Sequence, residues 1–143
     1  MTVSEPDVGP VQIQEPKSKD VLVDLFGESV LDVPSDYLRE YALQGLDVVG
    51  SRTGSTSEMG FEIYCRDASR KAEKLWQIVL EAGKPHGLAV IEPCHIRRVE
   101  GGILAYGADM WLDTDPYEVG MGYEWMVDLD QEAISSARTR CGA

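Results

Sequence analysis

The chain has 143 residues, 25 Asp plus Glu against 13 Lys plus Arg, and a formal net charge of -12, which suits one globular domain of ordinary size. Such an acidic chain, with no Lys/Arg cluster, is repelled by a phosphate backbone or an anionic bilayer, so nucleic acid is excluded as the expected partner. No apolar stretch approaches the roughly 20 residues of a membrane span, and the N-terminus has no basic region followed by an apolar one, so a cytoplasmic protein without membrane contact is expected.

Residues 1–10, MTVSEPDVGP, are polar with two prolines and read as a flexible leader. Val11 to Gln14 is a short extended run. A helix is expected from Pro16, with Val21, Leu22, Leu25 and Phe26 at helical spacing and Gly27 as its stop. Tyr37 to Leu43 alternates, Gln44-Gly45 is a two-residue link, and Leu46 to Thr53 follows, which predicts a β-hairpin. The stretch RTGSTSEMG, Arg52 to Gly60, is a loop of small and polar residues.

Phe61 to Arg66 reads as a strand with Phe61, Ile63 and Cys65 turned to the core and Glu62, Tyr64 and Arg66 on the other face. Asp67 is placed to cap a helix whose stripe is Ala72, Leu75, Trp76, Val79 and Leu80, with Gly83 at its end and Pro85 just beyond. Leu88 to Ile91 predicts a short strand. Pro93 is placed to open a third helix carrying Ile96, Val99, Ile103 and Leu104, with Glu100 in that stripe as a structural carboxylate. From Tyr106 to Tyr123 the chain is rich in Gly, Asp and Pro, and residues 131–143 read as a loosely held tail. Strands alternating with helices after a hairpin indicate an α+β sandwich of the ferredoxin-like kind, with a mainly antiparallel sheet.

Several chemistries fail on spacing. Gly54 and Gly60 match neither a P-loop nor a dinucleotide fingerprint. His86 and His95 lack a second pair of ligands, and Cys65, Cys94 and Cys141 lie too far apart for a metal knuckle or a disulfide framework. Side chains of Cys94 and His95 diverge on a helix, which disfavours a nucleophile–base pair. Asp109, Asp113, Asp115 and Glu118 do not follow an EF-hand and read as solvated loop charge.

Glu62 stands apart, because it follows a glycine loop and sits mid-strand, where carboxylates are disfavoured. Two readings of its face remain open. One is a solvated surface with a Glu/Arg pair of little energetic weight; the other is a site for a planar hydrogen-bonding ligand. In the second, the carboxylate accepts two parallel N–H bonds from a pterin or guanine edge and Tyr64 supplies an aromatic wall.

The run RTGSTSEMGFEIY, the helix ending LEAGKPHG, then IRRVEGGILAYGADM and DPYEVGMG, with VQIQEPKSKDVL before them, resemble the folate-dependent aminomethyltransferase family. That family includes the T-protein of the glycine cleavage system and tetrahydrofolate-dependent demethylases, and the later motifs resemble the dimethylsulfoniopropionate demethylase branch. The likeness covers about residues 11–130 and implies one-carbon transfer from an amine or sulfonium donor to tetrahydrofolate. It implies that Glu62 hydrogen-bonds the pterin, with Tyr64 offered as a second binding residue because it lies two residues along the same strand face.

The chain departs from the family pattern at three positions: Cys94 where the T-protein has Arg, Ser55 where an aromatic residue is common, and Glu15 where Gly is usual. The resemblance is to a middle fragment, which begins after the region bearing the family's catalytic aspartate and stops before its C-terminal barrel. The expectation is therefore weakened folate binding and little activity in isolation, with a complementing chain or a second copy as partner. A non-catalytic folate-binding or assembly module, or a degenerate truncated product, is the alternative. Exposed aromatics at Trp111, Tyr117, Tyr123 and Trp125 are expected near the C-terminal end.

Overall fold

A computed structural model describes residues 2–92, 95–123 and 126–127. The chain divides into two units, Met1–Ile103 and Leu104–Ala143. The first holds a four-stranded antiparallel sheet in the order β1-β4-β3-β2, built from β1 Val8–Ile13, β2 Leu38–Leu43, β3 Leu46–Ser51 and β4 Phe61–Arg66. Helix α1, Ser18–Phe26, carries the chain from the β1 edge to the β2 edge, and helix α2, Ala68–Gly83, follows β4. The expected α+β architecture, helices layered on a mainly antiparallel sheet, is the one found.

The alternation in β4 decides the layering. Phe61, Ile63 and Cys65 are each fully buried, and they meet Ile13, Leu43, Leu46 and Val48 from the other strands. Val21 and Leu22 of α1 and Leu75 and Val79 of α2 complete this core. The buried stripe of α2 is narrower than its sequence pattern: Leu75, Val79 and Gly83 are one turn apart, whereas Trp76 is 38% exposed. The opposite face of the sheet carries Gln12, Glu62, Tyr64 and Ser51.

The Gln44-Gly45 link joins β2 and β3 with φ of 48° and 80°, the two left-handed residues that a type I′ turn requires, and Lys74 of α2 donates to the Gln44 carbonyl at 2.6 Å. Strand β1 begins at Val8, three residues before the extended run visible in the sequence. Pro10 is tolerated there because β1 is an edge strand.

Four local expectations are corrected. Helix α1 starts at Ser18 rather than Pro16, after a turn in which Ser18 N–H donates to the Glu15 carbonyl. Asp67 makes no side-chain cap. It lies in the left-handed region and its carboxylate takes Lys71 at 2.8 Å. The cap of α2 comes instead from Asp7, whose carboxylate accepts the Ser69 N–H at 3.0 Å and the Ser69 hydroxyl at 2.6 Å. Leu88 to Ile91 forms no strand, because Leu88 N–H closes onto the Gly83 carbonyl and its side chain packs over that glycine at the end of α2. The third helix, α3 His95–Glu100, stops short of Ile103 and Leu104; Ile96 and Val99 are exposed, and Glu100 is an exposed partner of Arg97 at 3.9 Å rather than a buried carboxylate.

These contacts have a pH signature. The Ser69 hydrogen bonds hold the Asp7 carboxyl below the usual carboxylate range, and the Lys71 hydrogen bond and charge do the same for Asp67. Both folded values are lowered, so each group contributes stability above its ordinary value and loses it as pH falls through the folded one. Chemical denaturation from pH 6 down to about pH 3 should therefore show a loss that Asp7→Asn reduces. An unchanged pH slope in that variant would contradict the assignment.

In the second unit the described residues form turns and one isolated bridge, Tyr106 to Met110. The acidic string serves these turns. Asp109 accepts the Ala105 N–H at 2.8 Å, Asp115 accepts the N–H groups of Tyr117 and Glu118, and Glu118 reaches back to the Asp115 N–H. Trp111, Tyr117 and Tyr123 are exposed as expected. Cys94, Pro93, Trp125 and the tail 131–143 lie outside the described residues.

Candidate functional site

On the sheet face opposite the core, register places Gln12 of β1, Glu62 of β4 and Ser51 of β3 in one cross-strand row. Glu62 is half-buried there. Its Oε2 accepts the Thr53 hydroxyl at 2.5 Å and the Tyr64 hydroxyl at 3.0 Å, and no described residue hydrogen-bonds its Oε1. The two predicted site residues are thus joined directly, because two residues along a strand return to the same face. The Thr53 oxygen lies 3.1 Å from the Ser51 hydroxyl and, with its one proton given to Glu62, accepts the Ser51 proton, which orients it between the two strands.

Arg66 does not pair with Glu62. It forms its ion pair with Glu40, on β2, so the Glu62–Arg66 surface pair is not what holds this face. Burial, followed by the hydrogen bond and the charge of Glu62, pushes the Tyr64 phenol up from its ordinary value. The Tyr64 hydroxyl donates to Glu62 Oε2, the same oxygen that accepts Thr53, so both described contacts fall on one carboxylate oxygen.

Thr53 and Gln12 are not visible as site residues in the sequence, since only the pairing of β1, β3 and β4 brings them to Glu62. Gln12 lies within reach of the Ser55 hydroxyl at 3.4 Å, so Ser55 makes a polar contact beside this row. The loop 52–60 is anchored at its far end by the Ser18 hydroxyl, which donates to the Met59 carbonyl at 2.5 Å, and by Ser57, which donates to the Gly101 carbonyl at 2.8 Å.

Other candidates resolve into structural roles. His86 pairs with Asp24 at 2.7 Å, and His95 accepts the Arg98 Nε–H at 3.0 Å. Cys65 is buried, and burial pushes its thiol up, away from thiolate chemistry. Among the described residues no group of three or more His, Cys, Asp or Glu is arranged to hold a metal ion, and no helix is long and apolar enough to cross a membrane.

Residues 1–131 match the model of the GCVT N-terminal domain. The chain belongs to that family. It is 38% identical over 120 residues to dimethylsulfoniopropionate demethylase DmdA of Ruegeria pomeroyi, covering 84% of this chain and 33% of the demethylase. An aminomethyltransferase of Halothermothrix orenii is 36% identical over 133 residues, covering 88% and 35%, and one of Thermotoga sp. is 30% identical over 129 residues, covering 87% and 34%. The chain spans about a third of the length of these curated relatives.

Glu15 has φ of 88°, in the region that glycine occupies freely and that costs an L-residue about 1 kcal/mol. Its carboxylate meets Arg97 at 3.7 Å, and such a half-exposed pair offsets about 0–1 kcal/mol. Glu15→Gly is expected to raise the thermal midpoint, by a gain of no more than about 1 kcal/mol in stability. A fall in the midpoint would mean that the Arg97 contact outweighs the backbone strain.

Proposed function

We propose that this chain is a tetrahydrofolate-binding domain of the aminomethyltransferase and demethylase lineage, with Glu62 as the residue that binds the pterin. The observation that carries this is the half-buried Glu62 carboxylate on the sheet face opposite the core, with Oε2 held by Thr53 and Tyr64 and Oε1 free of described partners. A pterin presents neighbouring N–H groups along one edge, and a carboxylate is the acceptor that matches them. The donor set fits the group. Tyr64 adds ring area beside the carboxylate, and Gln12 and Ser51 add polar contacts along the same row.

Tetrahydrofolate, when bound, supplies the nitrogen that accepts the one-carbon unit. The chain's own residues bind and orient: Glu62 holds the pterin edge, Thr53 and Tyr64 hold Glu62, and the 52–60 loop borders the face. We place no acid or base for the transfer on this chain. The relatives' names point to an amine or a sulfonium compound as donor, and the 38% identity to the demethylase favours the sulfonium side.

A second reading, an assembly module that joins a complementing chain or a second copy, draws on the exposure of Val90, Ile91, Ile96 and Val99. Calorimetric titration of the folded chain with tetrahydrofolate separates the two. Saturable binding supports the first reading; a folded chain that shows none gives the lead to the second.

A further inference from the structure

Gln14 lies one residue beyond the Ile13–Phe61 pair, just past the end of β1, and its carboxamide packs against the 53–60 segment. Its Nε2 donates to the Thr53 carbonyl at 3.3 Å, and its Oε1 accepts the Thr56 hydroxyl at 3.0 Å. A Cβ built on Gly54 would overlap the Gln14 carboxamide, and so would one built on Gly60. Neither glycine has the positive φ that would by itself demand glycine. The absence of both side chains is what admits Gln14. These glycines, which lack phosphate-loop spacing, form instead the two walls of a slot for one amide.

We propose that Gln14 is a positioning residue: by clamping the segment between Gly54 and Gly60 it fixes Thr53, and through the Thr53 hydroxyl it fixes the Glu62 carboxylate in its ligand-accepting orientation. The ligand part of this inference rests on the pterin reading of Glu62; the clamp itself does not. The chain of contacts is short. Gln14 holds the Thr53 carbonyl, the Thr53 hydroxyl holds Glu62 Oε2, and Tyr64 holds the same oxygen from the other side. With the amide removed, the segment keeps its anchors at Ser18 and Gly101 but loses the one that acts at Thr53 and Thr56.

The test is a double-mutant cycle of Gln14→Ala and Gly60→Ala, read by amide hydrogen exchange on the ligand-free chain and by tetrahydrofolate affinity. Gln14→Ala is expected to speed exchange in residues 54–58 at least about fivefold while the core strands keep their protection, the loss expected of about one hydrogen bond. Gly60→Ala expels the carboxamide and should give the same exchange pattern. The double variant should be no worse than Gln14→Ala alone, because the added methyl then fills the space the amide has left. Gln14→Met, which keeps length but not hydrogen bonds, guards against a folding failure and should resemble Gln14→Ala in exchange.

Affinity should fall about fivefold to tenfold in Gln14→Ala with the thermal midpoint little changed, a split that a purely structural role would not produce. Unchanged exchange in Gln14→Ala, or additive effects in the cycle, would overturn the clamp. Exchange that speeds while affinity stays constant would overturn the positioning of Glu62. If the wild-type chain binds no tetrahydrofolate at all, the pterin reading fails, whereas the exchange cycle still judges the clamp.

Discussion

Replacing Glu62 with alanine is expected to abolish measurable tetrahydrofolate binding while leaving the fold intact. A carboxylate bound to two N–H groups makes charge-assisted bonds of about 1.5–3 kcal/mol each, so losing both weakens binding on the order of 100-fold or more. The fold survives because Glu62 lies on the sheet face away from the core, and the Thr53 and Tyr64 residues it leaves behind are only half-buried. Glu62→Gln is the sharper variant. Its carbonyl oxygen can still accept Thr53 and Tyr64, which turns its NH₂ toward the ligand, donor against donor. A loss of more than about tenfold is expected by titration, with an unchanged thermal midpoint. Affinity equal to wild type in Glu62→Gln would remove this carboxylate from the site.

The second large effect falls one residue earlier. Phe61 is fully buried where β4 meets β1 and the helices, and Phe61→Ala should cost about 3–5 kcal/mol through lost burial and the cavity left behind. A domain of this size has about 5–15 kcal/mol of stability in all, so the variant should sit near or past the edge of folding. Urea titration measures it as a drop of at least about 1 M in the midpoint. Alternation makes the pair of experiments informative: adjacent residues of one strand face opposite ways, so Phe61→Ala removes stability and Glu62→Ala removes binding. A cost below about 1 kcal/mol at Phe61 would mean that the core closes over the gap.

What the sequence makes legible is the local periodicity. Phe61, Ile63 and Cys65 alternate against Glu62, Tyr64 and Arg66 over six residues, and that pattern alone orients β4. The Gln44-Gly45 link likewise announces its turn. Where periodicity and environment compete, the environment wins. Leu88 to Ile91 has the composition of a strand, but Leu88 is drawn onto the end of α2. Trp76 continues the helical stripe of α2, yet it lies beyond the edge of the buried face. Pro10 masks the start of β1, since only its edge position makes a proline acceptable there.

The candidate site divides in the same way. Glu62 and Tyr64 are two residues apart, so their shared face is readable from spacing. Thr53 is nine residues from Glu62, and Gln14 is 42 residues from Thr56; these partners meet only through the register of β1, β3 and β4. Asp7 caps α2 from 62 residues away, where the sequence offers Asp67 as the obvious cap. Long-range register carries no local signature.

The most direct test of the pterin reading is the location of the ligand on the chain. Backbone amide spectra recorded during a tetrahydrofolate titration should shift at Gln12, Ser51, Thr53, Glu62 and Tyr64, on the open face of the sheet, with the amides of α1 and α2 little changed. Shifts centred on the helices, or none at ligand concentrations that saturate binding by calorimetry, would contradict the account.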